Sequence, residues 1–418
     1  MEKEKKKKKK KERILMPMWL NIILTIAGKI MLFFKTGIRY NRKALKNHKD
    51  GFLLVYNHYS NQDHFFIKAS LNFRRVSYVV ASCFLLTKPV GTLLKWANAI
   101  SKEQFKPDLV AIRKMKKVLD KKGIVAIAPT GQITIDGKPS YMSPAIVKLV
   151  KLAKADVVAM RTHGAHLTFP KWRLSGRTCK VTSEFVTVLK KEELSTLTDE
   201  EILRRIEEAI YVDEFAEQRT LKRKIHTKRI AEGLENIFIR CPKCGKKYSY
   251  ESHKNECHCT ECGNAFVMDQ FGFMHPKTEQ DKVFEMVSDW VSWQKQVIGK
   301  ELEDGIEFSD DCEYMSNLIN PMKLEICGKG KVVLKKDEFF IDGILLDEEI
   351  KKEFKLSLIS QLPYDPGKRF EIPNEDFFLR IITTNKKKVF EFVQCIDYLN
   401  DQKNNKGNCN EDSYRKIK

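Results

Sequence analysis

Two sets of side chains in this sequence have the types and spacing to do chemistry. His58 and Asp63 stand with four residues between them. If the turn joining them opens a helix, Asp63 folds back to accept a hydrogen bond from one imidazole nitrogen. The other nitrogen is then free to take a proton as a general base. The second set is Cys241, Cys244, Cys259 and Cys262, two Cys-x2-Cys knuckles separated by fourteen residues, each followed by glycine. Four thiolates in a tetrahedral array suit a structural Zn2+ and leave no open position for catalysis. Cys257 and His258 beside the second knuckle compete as ligands, but the paired knuckles are the better set. Two redox disulfides fit poorly with seven further scattered cysteines and a cytosolic, reducing context.

The elements around His58 give it a setting. Residues 52–56 are an apolar run that reads as a strand buried on both faces. The chain turns polar at Asn57 and apolar again at Phe65. A buried strand running into a polar turn places side chains at the carboxyl edge of a sheet, where α/β folds keep their chemistry. Strands are expected at 51–56, 76–81, 123–128, 156–161 and 178–187, and helices at 63–72, 88–99, 107–121 and 143–153. That alternation predicts an α/β unit, a mixed sheet flanked by helices.

Asn57-His58 followed by Asp63 resembles the first block of the glycerolipid acyltransferases of the 1-acylglycerol-3-phosphate acyltransferase type. Further on, Pro129-Thr130-Gly131 stands in the place of that family's Pro-Glu-Gly-Thr-Arg block. Ser143-Pro144, an apolar helix and the strand 156–160 follow in the family's order, and the blocks span roughly residues 45 to 215. The resemblance implies transfer of a fatty acyl group from acyl-CoA or acyl-ACP to the hydroxyl of a lysophospholipid, lysophosphatidic acid or similar. It makes His58 the base and Asp63 its orienting partner, with Asn57, Lys102, Pro129, Thr130 and Gly131 in the substrate site. Lys102 is the nearest basic residue to an arginine of the family's second block, and lacks its bidentate fork. Ser and Cys nucleophile motifs are absent, in keeping with direct transfer.

The third block departs from the pattern. Thr130 replaces Glu, Gln132 replaces Thr and Ile133 replaces Arg, and the lost pair belongs to the family's acceptor site. Losing a guanidinium forfeits a bidentate phosphate contact. Arg161, Arg173 or Lys138 could substitute, or the acceptor is not a simple phosphomonoester. The departures also allow a catalytically altered member acting as a membrane-bound binding or scaffold protein.

The chain is long enough, at 418 residues, for two or three domains, and its formal net charge is +21 from 76 Lys+Arg against 55 Asp+Glu. Such a balance attracts anionic partners. Residues 1–35 combine a basic tail, with Lys5 to Lys11 unbroken, and an apolar stretch from Ile14 to Phe34. Asn21 and Lys29 make that stretch a poor membrane span, and an interfacial helix or re-entrant hairpin fits better. With the tail against an anionic leaflet, the expected location is the cytoplasmic face of the cell membrane. The remaining divisions are an acyltransferase domain at 36–215, a basic linker at 216–236, a zinc ribbon at 237–270, a β-rich and pleckstrin-homology-like module at 275–402, and a disordered tail at 403–418. No nucleic-acid partner is expected, because stacking aromatics are not interleaved with the basic runs.

Overall fold

The computed structural model describes residues 13–86, 89–103, 108–174, 176–374 and 377–407. The basic tail at 1–12 lies outside the described residues. The first half runs α1 (Met18–Thr36), β1 (Arg39–Asn41), β2 (Leu53–Tyr56), α2 (Asp63–Leu71), β3 (Val76–Ala81), α3 (Val90–Trp96), β4 (Ile100–Lys102), α4 (Leu109–Asp120), β5 (Ile124–Ile127), α5 (Ala145–Ala153), β6 (Val157–His163), α6 (Ala165–Thr168), β7 (Thr182–Leu189), α7 (Asp199–Ile210) and α8 (Glu214–Leu221). One mixed sheet collects these strands in the order β1-β7-β6-β2-β5-β3-β4. Strands β6, β2, β5, β3 and β4 run parallel, and β7 runs against β6.

Side-chain alternation explains why β2 is apolar throughout. Leu53 and Val55 face one cluster with Val125, Ile127, Val157 and Ala159, covered by α4, α5 and α7. Phe52, Leu54 and Tyr56 face the other, with Ala126, Val158, Met160 and the α2 residues Phe66 and Ile67. A strand covered on both faces needs apolar residues at every position. Helix α7 had not been expected from the sequence. Its signal was Thr198, whose side chain accepts from the Glu201 N–H, followed by Ile202, Ile206 and Ile210 buried on one face.

Helix α1 is continuous from Met18 to Thr36, so the segment is not a hairpin. Leu20, Asn21, Thr25, Gly28, Leu32 and Thr36 form its buried row. The polar members of that row serve the end of α2. Asn21 Nδ2 donates to the Phe73 carbonyl at 2.7 Å and Thr25 Oγ1 to the Asn72 carbonyl at 3.2 Å. Lys68 Nζ bonds Asn21 Oδ1 and the Arg74 carbonyl, so α1 satisfies carbonyls just past the α2 C-terminus. Burial lowers the Lys68 pKa to about 8. The opposite face, with Trp19, Ile23, Ile26, Ile30, Phe33 and Phe34, is exposed. By length and composition α1 could cross a membrane.

The second half contains β8 (Tyr250–His253), β9 (Glu256–Cys259), β10 (Ala265–Met268), β11 (Met274–Pro276), α9 (Val287–Glu303), β12 (Phe308–Ser316), β13 (Glu325–Leu334), β14 (Phe339–Leu345), β15 (Glu348–Glu353), β16 (Tyr364–Asp365), β17 (Arg369–Ile372), β18 (Leu379–Thr383) and α10 (Lys388–Gly407). A four-stranded sheet has the order β11-β10-β9-β8, and a seven-stranded antiparallel sheet the order β15-β14-β13-β12-β18-β17-β16.

Three sequence expectations need correction. The segment 216–236 is no solvated linker: α8 covers its start, and Gln218, Ile225, Ile230, Ala231 and Leu234 are buried. Most of its basic side chains stay near the surface, Arg223 excepted, while the apolar ones between them reach the core. Residues 237–270 and the C-terminal module, expected as separate units, share a core, since Phe238, Tyr250, Phe266, Trp290, Phe339 and Phe390 belong to one cluster. Phe238 stacks on Trp290 with centroids 4.1 Å apart. The tail expected from 403 remains helical in α10 to Gly407, and 408–418 lie outside the described residues.

Candidate active site

Strand β2 ends at Tyr56, and His58 and Asp63 follow at its carboxyl edge. His58 Nδ1 lies 2.7 Å from Asp63 Oδ2. The same oxygen accepts the backbone N–H groups of Tyr59 at 2.9 Å and Ser60 at 3.2 Å, while Oδ1 bonds Ser60 Oγ at 3.1 Å. Asp63 opens α2, where the helix N-terminus favours a negative charge. An acceptor-only carboxylate at Nδ1 makes that nitrogen the donor and puts the basic lone pair on Nε2. Nε2 has no hydrogen-bond partner among the described residues, on a side chain 23% exposed.

Neighbouring strands fix this turn. Asn57 Nδ2 donates to the Thr162 carbonyl at 2.8 Å, and Thr162 N–H donates back to Asn57 Oδ1 at 2.9 Å. Asn57 therefore pins the end of β2 to β6, and its amide is committed to backbone. The loop after β5 approaches from the other side, where Thr134 N–H donates to the His58 carbonyl at 2.9 Å. Pro129, Thr130 and Gly131 lie in this loop. Thr130 is buried and its hydroxyl donates to the Gln132 carbonyl at 3.1 Å. Gly131 has φ 66°, in the left-handed region, and a Cβ there would meet no atom within 4 Å.

Lys102 ends β4 on the same edge of the sheet, three strands from β2. Its ammonium donates to the Glu103 carbonyl at 3.1 Å, and burial lowers its pKa. Of the proposed substitutes for the missing guanidinium, Arg161 is paired with Glu184 at 3.1 Å. His64 follows Asp63 on the first turn of α2 and is exposed. Two supporting residues were overlooked in the sequence. Ser60 had a readable signal in the Ser-x-x-Asp spacing that marks a helix start. Thr134 had none, because its partner lies far back in the chain.

The four knuckle cysteines also come together. Their sulfurs all lie within 4.8 Å of one another. Cys241 and Cys262 are 3.7 Å apart, and Cys244 and Cys259 are 3.8 Å apart. A tetrahedral zinc with bonds near 2.3 Å places its sulfurs about 3.8 Å apart, so the donor set fits a metal. A disulfide needs a far shorter separation, and all four are free thiols. Gly245 at φ 74° and Gly263 at φ 71° make the turn after each knuckle. Cys257 is buried in the core and outside the cluster.

Residues 35–162 match the family model described as Acyltransferase. Among solved structures, the chain is similar to the crystal structure of the 1-acyl-sn-glycerophosphate (LPA) acyltransferase PlsC from Thermotoga maritima. The identity is 17%, the TM-score 0.40, and the match covers 46% of this chain and 76% of that one. No curated protein matches. The matched residues include the whole His58–Asp63 turn, the loop after β5 and most of β6. The similarity to the Acyltransferase family thus lies in residues 35–162, the part of the chain that carries His58 and Asp63.

Proposed function

We propose that this protein is a membrane-associated acyltransferase that moves a fatty acyl group from an acyl thioester to the hydroxyl of a lysophospholipid. The observation that carries this reading is His58 Nδ1 held 2.7 Å from a buried carboxylate, with Nε2 unpartnered among the described residues. In the reaction, Nε2 takes the proton of the acceptor hydroxyl as its oxygen attacks the thioester carbonyl. Asp63 stabilises the imidazolium that forms. When the tetrahedral adduct collapses, the carbon–sulfur bond breaks and the imidazolium proton goes to the departing thiolate. No covalent acyl-enzyme is needed. The donor is acyl-CoA or acyl-ACP, both of which present the same thioester. A panel of lysophospholipids offered with acyl-CoA tests the reading: at least one should be esterified.

The metal reading is a structural zinc held by Cys241, Cys244, Cys259 and Cys262, supported by the sulfur spacing. Bound there, zinc supplies cross-linking and no catalysis. The C-terminal module has four-strand and three-strand meanders and a closing helix, which supports a pleckstrin-homology-like outline.

Membrane association is supported by the exposed face of α1, where Phe33 is 70% and Phe34 76% exposed. Leu93 and Trp96 on α3 are exposed too, and α3 meets α1 where Ala97 packs against Met16 and Leu20. Because Asn21, Thr25 and Lys68 tie the inner face of α1 to the domain, the helix lies along the bilayer surface. The basic tail would place it at the anionic cytoplasmic leaflet. Ile26→Lys with Phe33→Lys should weaken partitioning onto anionic vesicles about a hundredfold, since each apolar side chain contributes at least about 1.5 kcal/mol when buried. Wild-type binding should survive molar salt. Loss of wild-type binding in salt, or full binding by the double variant, would refute the apolar contact.

Thr130→Glu separates an eroded acceptor site from a remodelled one. Thr130 is 7% exposed. A carboxylate placed there lacks a charge partner, so activity on lysophosphatidic acid should fall. Increased activity would mean that the family's acceptor pocket persists.

A further inference from the structure

The loop at 128–142, which follows β5 and carries Pro129, Thr130 and Gly131, is held from the far end of the chain. Gln132 Nε2 donates to the Leu362 carbonyl at 2.7 Å, across a sequence separation of 230. Gln361 Nε2 donates to the Tyr141 carbonyl at 3.0 Å, across a separation of 220. Between these two bonds, Ile135 packs against the large cluster that extends from Leu167 to Leu399. The segment 359–365 that makes both contacts is a strap with its own anchors. Asn400 Nδ2 on α10 donates to the carbonyls of Ile359 at 3.0 Å and Ser360 at 2.9 Å. Ile359 and Leu362 are almost wholly buried. Next to them, the Lys171 ammonium sits 3.4 Å from the centre of the Tyr364 ring.

The loop's third anchor is the Thr134 N–H bond to the His58 carbonyl. A continuous path of packed and hydrogen-bonded groups therefore runs from α10 through the strap and loop to the base. Two of the three positions that depart from the family's third block lie on this path. Gln132 donates to the strap, and Thr130 donates to the carbonyl of Gln132. A loop that must receive a ligand binds it more weakly if binding also has to order the loop. Lacking the charged pair at 130 and 133, this loop takes its order from outside itself.

We propose that the strap 359–365 is a positioning element of the acyl-transfer site, with Gln132 and Gln361 holding the acceptor-side loop in place for the reaction. The C-terminal module thereby serves catalysis directly. The inference rests on the acyl-transfer reading of His58.

The test uses the full-length protein with Gln132→Ala, Gln361→Ala and both together. It measures hydrogen–deuterium exchange in residues 128–142 and steady-state kinetics for donor and acceptor. Each single variant should exchange faster in that loop and raise the acceptor KM about tenfold, the effect of one net hydrogen bond. The thioester KM should stay unchanged, and the thermal midpoint of Gln132→Ala should match wild type. The double variant should fall short of the product of the singles, because both bonds hold one loop. Gln132→Glu keeps the side-chain length but offers an acceptor to a carbonyl, so it should be no better than Gln132→Ala. Gln132 is only partly buried, so its variants should fold even if Gln361→Ala does not.

Unchanged exchange would overturn the strap as the holder of the loop. Faster exchange with unaltered acceptor kinetics, or equal rises in both KM values, would overturn its part in the reaction. A wild-type protein that transfers no acyl group would instead sink the reading of His58, and this inference with it. That failure is visible before any variant is made.

Discussion

His58→Ala should lower acyl transfer by about 10²–10⁴-fold, the usual consequence of losing a positioned general base, with the fold intact. The imidazole is partly exposed and its removal opens no core cavity, so circular dichroism and thermal midpoint should match wild type. Asp63→Asn should also cost rate, and for two separable reasons. Asp63 Oδ2 accepts from His58 Nδ1, Tyr59 N–H and Ser60 N–H together. An amide nitrogen in that place opposes three donors, which tilts the imidazole to the wrong tautomer and loosens the turn. The double variant should be little worse than His58→Ala alone, since Asp63 acts through His58. Multiplicative losses would show that Asp63 has a second role.

Removing the metal should have the largest effect on stability. The four cysteines close a small sheet whose core is continuous with the C-terminal module through Phe238, Tyr250, Phe266 and Trp290. Structural zinc contributes roughly 10–16 kcal/mol of binding free energy in small metal-folded domains, so its loss should unfold this region. Elemental analysis should find one zinc per chain in the wild-type protein and none in Cys241→Ser with Cys262→Ser. Trp290, stacked on Phe238 and fully buried, should then shift its fluorescence to the red. Metal-free protein with native fluorescence would remove the ribbon from the account. The strap 359–365 shares that core, so metal loss should also raise exchange in residues 128–142.

What could be read from the sequence was local. The His58–Asp63 turn spans six positions, and one strand with one helix start suffices to build it. The cysteine knuckles are equally local. Helix α1 was legible as apolar, but Asn21 read only as a defect in a span, and the role of Thr25 could not be seen. They bond to carbonyls about 50 residues away, as the separations of 52 and 47 record. In the C-terminal half, β12 passed unrecognised because Asp310, Asp311 and Glu313 interrupt it. Its buried residues Phe308, Cys312 and Tyr314 share the inner face, with the charges interspersed among them. Within this β-rich half, Leu356–Leu358 is a short 3-10 turn. The strap contacts were beyond reach, since no periodicity in either segment points to the other.

The measurement that bears most directly on the central claim is thiol release from acyl-CoA by purified wild-type protein, with and without a lysophospholipid. Release should require the acceptor and match new ester one for one, with no acyl group retained on the protein after a quench. Acceptor-independent release, an acyl-protein adduct, or no release with any lysophospholipid would contradict direct transfer driven by His58.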